Sequence, residues 1–191
     1  MFAKSGSRGV DVARAILTQS GIHDVEITEI EGHLTDHYDP GNKTLALSSE
    51  NYHSSSLAAM GVAAHEAGHA IQHKVGYRAL KFRMQLIPIT HIASQILPIA
   101  LICGIVMHSV GLVRLAAVVY IALALFQLVT LPVEFDASRR ARKHLASMGF
   151  ITKHEIPGIK NMLNAAGLTY VAAFVSSVAY LIHLFLSSKE K

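Results

Sequence analysis

The chain has 191 residues, of which 51% are hydrophobic and only 16% charged; its mean hydropathy of +0.38 is too high for an ordinary soluble domain. The net charge of +4 does not point to nucleic acid. The basic residues gather in "HKVGYRALKFR" and "SRRARKH", beside the most apolar segments, where membrane flanks explain them better. A single cysteine, Cys103, excludes an intramolecular disulfide and leaves the redox compartment open, with a lean to the cytosolic side.

The N-terminal third, to about Ser56, is polar and mixed. Its start is basic and glycine-rich, and its first hydrophobic run is too short for a signal peptide. "GVDVARAILTQSG" reads as a short amphipathic helix ended by Gly21, burying Val12, Ala15, Ile16 and Ala13. "DVEITEI" alternates as a strand does. "DHYDPGNKTLALS" reads as strand, turn at Pro40-Gly41-Asn42, and strand.

"SSLAAMGVAAHEAGHAIQHK" is rich in alanine, lacks proline and meets a stop at Gly76, so it predicts a helix with its N-cap among Ser48 to Ser56. Within it, His65 and His69 are four residues apart and lie on one face, a single turn from each other. With Glu66 this is H-E-x-x-H, the pattern in which two histidines hold zinc and the glutamate serves as general base of a metalloprotease. The small residues Ala63, Ala64, Ala67, Gly68 and Ala70 let another element approach the histidine face closely. His73 shares that face but stands two turns beyond His65, about 12 Å along the axis. Zinc–nitrogen bonds of about 2.0–2.1 Å cannot span that on an unbroken helix. Metzincins break the helix with a glycine where this chain has Gln72. His73 is therefore expected at the surface or behind the ligands, and the third ligand comes from elsewhere.

No Asp, Glu, Lys or Arg occurs between Arg83 and Arg114, between Arg114 and Glu134, or between Lys160 and Lys189. Each gap holds a bilayer-spanning stretch, read as spans near 88–109, 112–132 and 167–187. Pro88, His91, Gln95 and Pro98 make the first the least uniform. His91, His108 and His183 read as packed or interfacial histidines rather than ligands. Two consecutive crossings return the chain to the side of the motif helix, and Glu134 is the first carboxylate to emerge. Pro132 marks a kink or the start of a fresh helix. Glu134 thus completes a site of two histidines and a glutamate, one Zn2+ per chain, with the fourth position left for water. The competing reading of Glu134 is a surface ion pair with Arg139. Asp136 is the next candidate ligand, or an acceptor that fixes an imidazole from behind. The basic flanks place the site in the cytoplasm by the positive-inside rule.

"GVAAHEAGHAIQH", "HLTDHYDP", "LPVEFDASRRA" and "NAAGLTYVAA", in this order, resemble the bacterial YugP-type zinc-dependent membrane peptidases from about Gly9 to Ser187. The resemblance implies a gluzincin-like metallopeptidase of a bacterial inner membrane, with His65, His69 and Glu134 as metal ligands and Glu66 as the catalytic glutamate. A looser likeness links the chain to HtpX-type membrane peptidases, whose third ligand sits in E-x-x-A-D. Here the pattern runs from Glu134 to Ser138, and serine replaces the final acid. By analogy with those relatives, Asp36, His37 and Tyr38 form an edge strand for an extended peptide; an ordinary hairpin is the alternative. Tyr170 is the candidate oxyanion donor, with His144 and His33 as alternatives.

These readings make a mainly α membrane protein: a zincin-like catalytic helix, a small N-terminal α/β element and about three transmembrane helices. The expected division is 1–83 with the motif helix, 84–133 as a transmembrane hairpin, 134–166 with the third ligand, and 167–191 as the last span and tail. The expected activity is peptide-bond hydrolysis on peptide or membrane-tethered protein substrates at a lipid bilayer. Two other classes compete. A site-2-type intramembrane protease needs its motif inside a span and a later Asp-Gly, and no Asp-Gly pair exists in this chain. A zinc-binding scaffold would have lost a ligand or Glu66, and all four residues are present.

Overall fold

The structure, a computed structural model, describes residues 5–187, leaving aside the side chains of residue 166 and residues 183–187, so that of His183 lies outside the described set. Two compact units emerge. One comprises the chain up to Tyr77 together with Val133–Gly167; the other comprises Arg78–Pro132 and the chain from Leu168 onward.

The first unit opens with α1 (Gly9–Gln19), ended as expected at Gly21, whose φ is +66°. Its buried stripe is Val10, Val12, Ala13, Ile16 and Leu17, while Ala15 is only half-buried. The strands β1 (Glu26–Ile30), β2 (His37–Asp39) and β3 (Thr44–Ser48) form one sheet in the order β1-β3-β2. β3 pairs in parallel with β1, from Glu26 against Thr44 to Ile30 against Ser48, and antiparallel with β2. Its central place explains why Leu45, Ala46 and Leu47 are all buried, where an outer strand alternates. The turn between β2 and β3 is held by Asp39, whose carboxylate accepts from the backbone N–H of Gly41 at 2.8 Å and Asn42 at 3.2 Å.

A short helix α2 (Ser49–His53) leads into α3 (Leu57–Lys74). Ser56 is the N-cap: its hydroxyl accepts from the Ala59 N–H at 3.1 Å. Gly76, at φ +64°, follows the last turn. α3 is buried nearly all round, which a surface helix is not. Its alanines meet α1, the sheet and later segments in a core that includes Ile16, Leu45, Leu47, Met60, Leu145, Ile159 and Leu163.

The second unit holds α4 (Arg78–Val106), the first part of α5 (Val110–Ser147) and the later part of α6 (Ile156–Ser187). These three helices are long and apolar enough to cross a membrane. Ile99, Ile102, Val118 and Val175 are more than half exposed on them, as lipid-facing side chains are. Two boundaries differ from the sequence expectation. The first helix stops at Val106, and residues 107–109 turn the chain with His108 at φ +52°. Pro132 starts no new helix: α5 runs through it to Ser147, because one missing N–H is a local loss in a helix otherwise bonded along its length.

Candidate metal centre

α3 and the part of α5 beyond Pro132 bring His65, His69 and Glu134 together. All three are buried, and one ligand atom from each lies within 4.8 Å of the others. The close approach of the two helices is possible because residue 68 has no side chain: a Cβ there would stand 2.7 Å from the Ala137 carbonyl oxygen. The Glu134 Oε2 is 3.1 Å from His65 Nε2 and 3.8 Å from His69 Nε2. Tetrahedral zinc with bonds of about 2.0–2.1 Å sets its ligand atoms roughly 3.3 Å apart. The observed distances straddle that value, so the donor set fits zinc. The two imidazoles meet edge to face, their centroids 4.7 Å apart.

Burial alone pushes the Glu134 carboxyl up, but the hydrogen bond to His65 and the nearby imidazole of His69 outweigh it and hold the group far below the ordinary carboxylate range. For His69, burial opposes protonation; the nearby carboxylates of Glu134 and Glu66 reverse this and raise its pKa. Glu66 is buried on α3 beside His65.

Behind each histidine stands a residue that sequence reasoning did not assign to the site. The Ser138 hydroxyl lies 3.2 Å from His65 Nδ1. Gln72 Oε1 lies 3.0 Å from His69 Nδ1, while Gln72 Nε2 donates to the Val133 carbonyl at 2.8 Å and to Asp136 at 3.0 Å. Helical spacing carried the signal: Gln72 follows His69 by three residues, and Ser138 follows Glu134 by four. Asp136 does not join the three converging donors. Its carboxylate also takes Arg140 at 2.6 Å and Arg139. Burial raises its pKa, and these hydrogen bonds more than reverse the effect.

The other candidates within the first unit have partners of their own. His73 Nδ1 is 2.8 Å from the Tyr38 hydroxyl, tying α3 to β2. Burial, helped by Asp24 and Asp39, pushes the Tyr38 phenol up to about 12. Asp36 accepts from the Ser48 N–H, the Ser48 hydroxyl and Asn51, which fastens the entry of β2 to the end of β3. His37 Nδ1 is 2.7 Å from the Thr35 carbonyl. His33 is an exposed partner of Glu50 at 3.5 Å, and His144 contacts Gln19 at 3.1 Å. Tyr170 stands on α6 in the second unit.

Comparison with known proteins agrees with this chemistry. Residues 1–189 match a family model described as "Putative neutral zinc metallopeptidase". The chain is 41% identical over 192 residues to the "Putative membrane protease YugP" of Bacillus subtilis (strain 168), covering 99% of this chain and 85% of that protein. No solved structure matches. The family match takes in the apolar helices as well as both segments that supply the converging side chains, and the chain belongs to this zinc metallopeptidase family.

Proposed function

We propose that this protein is a membrane-bound zinc endopeptidase whose ion is held by His65, His69 and Glu134. The observation that carries the reading is the convergence of these three buried donors next to Glu66. When bound, zinc supplies the Lewis acidity that activates water near neutral pH and polarises a peptide carbonyl. Glu66 takes the proton from the attacking water and delivers it to the leaving amine. Among the described residues β2 pairs with β3 alone, so its other edge offers backbone groups to an extended peptide. His37 and Tyr38 flank such a peptide, and Asp36 holds the strand in place. Asp136 and His73 act from behind, through Gln72 and Tyr38 respectively. The basic flanks support a site on the cytoplasmic side of a bacterial inner membrane, where misfolded or membrane-tethered proteins would be its substrates.

The test is elemental analysis of detergent-purified wild type and Glu134→Ala, with casein cleavage by wild type and Glu66→Gln alongside. Expected are about one zinc per wild-type chain, much less in Glu134→Ala, and chelator-sensitive cleavage that falls at least about 100-fold in Glu66→Gln with zinc retained. Unchanged zinc in Glu134→Ala moves the third ligand elsewhere. A Glu66→Gln variant that cleaves normally removes the mechanism. Zinc without cleavage favours a scaffold.

A further inference from the structure

Gln72 is 0% exposed, and it is a polar side chain in the last turns of a buried helix. A buried primary amide is tolerated when its N–H groups and its carbonyl are all satisfied. Here each has a partner, and the partners fix which end of the amide is which. The Val133 carbonyl can only accept, so the nitrogen of Gln72 faces α5. Its second N–H is directed to the Asp136 carboxylate. The amide oxygen is thereby left against His69 Nδ1, and because that oxygen can only accept, Nδ1 carries the hydrogen. The lone pair of the ring then sits on Nε2, the atom that faces Glu134.

One side chain therefore connects the second histidine to the backbone carbonyl immediately before Glu134. We propose that Gln72 is a positioning residue with two tasks: it selects the metal-binding tautomer of His69, and it sets the register of the α5 segment that delivers Glu134. The inference rests on the zinc reading of this same site. Its chemistry is specific to an amide. Glutamate at this position would accept from His69 at least as well, but it has no hydrogen for Val133 or Asp136 and would set one carboxylate against another. Methionine would fill a similar volume and do neither task. The charge of Asp136 is meanwhile held one residue back from the ring and answered by Arg139 and Arg140.

The experiment measures zinc dissociation constants, and visible absorption of the cobalt-substituted protein, for wild type, Gln72→Glu, Gln72→Met and Glu134→Ala. Cooperative melting of each metal-free protein reports folding. Both Gln72 variants are expected to bind zinc about 10- to 100-fold more weakly, and the cobalt spectrum of Gln72→Glu is expected to move toward that of Glu134→Ala. Wild-type affinity and spectrum in Gln72→Met reduce Gln72 to a space-filling residue; the same result in Gln72→Glu removes the register task. If Gln72→Glu does not fold, Gln72→Glu/Asp136→Asn, which relieves the facing carboxylates, takes its place. Weaker zinc binding is again expected because Val133 still lacks the Gln72 N–H, and wild-type affinity overturns the proposal. A wild type that binds no zinc defeats the metal reading itself, whereas a zinc-binding wild type with unaffected variants defeats the role of Gln72 alone.

Discussion

Gly68→Ala tests how finely the two helices are set. Alanine is the better helix former by about 1 kcal/mol, so an isolated view of α3 predicts stabilisation. The structure predicts the reverse for the site. The added Cβ would stand 2.7 Å from the Ala137 oxygen, 3.2 Å from its Cα and 3.3 Å from its carbonyl carbon, all backbone atoms that no rotamer change can clear. Relaxing the first contact from 2.7 Å to ordinary contact at 3.4 Å moves α5 away from α3 by ~0.7 Å. Overpacking of this kind costs about 1–3 kcal/mol, which the propensity gain only partly offsets. Metal ligands tolerate displacements of only about 0.2 Å, so the larger effect falls on the metal. Zinc affinity should drop at least about tenfold, by comparison with the loss of residues that support a ligand. Competition with a chromogenic zinc chelator measures it, and thermal melting of the metal-free protein follows the fold separately. A Gly68→Ala protein with wild-type zinc affinity refutes the argument, since it would show that the helices separate without disturbing the donors.

Zinc affinity should climb as pH rises through the raised pKa of His69, because the metal must displace a proton that the metal-free site holds to higher pH than a free histidine does; a flat profile from pH 6 to 8 contradicts this. In the metal-free protein the same raised pKa contributes stability that is fully present below the unfolded histidine value and lost as pH rises through the folded one. The depressed Glu134 contributes stability present above the unfolded carboxylate value and lost as pH falls through the folded one, so melting temperature should peak between the two ranges. Ser138→Asp, which restores the E-x-x-A-D pattern, should lower the melting temperature of the metal-free protein and enlarge the rise that zinc produces; an unchanged metal-free melt contradicts the buried placement of residue 138. Tyr170→Phe should lower turnover with zinc content unchanged if the phenol stabilises the oxyanion, and equal turnover removes it from the site.

The residues that announce themselves in the sequence are those whose spacing is local. His65, Glu66 and His69 lie within five residues on a helix whose stop near Gly76 is written in residue types, while its cap, Ser56, was one of several candidates between Ser48 and Ser56. The convergence of Glu134 on the two histidines was expected from the sequence as well, on the argument that two charge-free gaps would return the chain to the side of the motif helix. Helix ends in the membrane unit were not. Apolar composition marks what a bilayer can cover, whereas α4 begins at Arg78, ten residues before the expected span, and α5 continues to Ser147 through charged residues. The parallel pairing of β1 with β3 was invisible for a different reason: alternation reports which face a side chain takes, not which strand lies alongside. Gln72 and Ser138 were missed because helical spacing, three residues after His69 and four after Glu134, does not by itself mark a glutamine or a serine as buried. Their meaning comes from partners 61 and 73 residues away.

Those two residues also show how a site of this kind can do without the final acid of the E-x-x-A-D pattern that the looser relatives carry. With zinc bound as proposed, the dication is balanced by the carboxylates of Glu134 and Glu66. Another carboxylate against an imidazole would leave net negative charge in a place where Glu134, Ser138 and Gln72 are all at most 5% exposed, and unbalanced charge is costly there. A hydroxyl behind His65 and an amide behind His69 orient the rings without adding charge. The nearby acid, Asp136, is set where two arginines reach it, one of them largely exposed. Orientation and charge are thus supplied by different residues, so the serine at position 138 is consistent with a working centre rather than a degraded one.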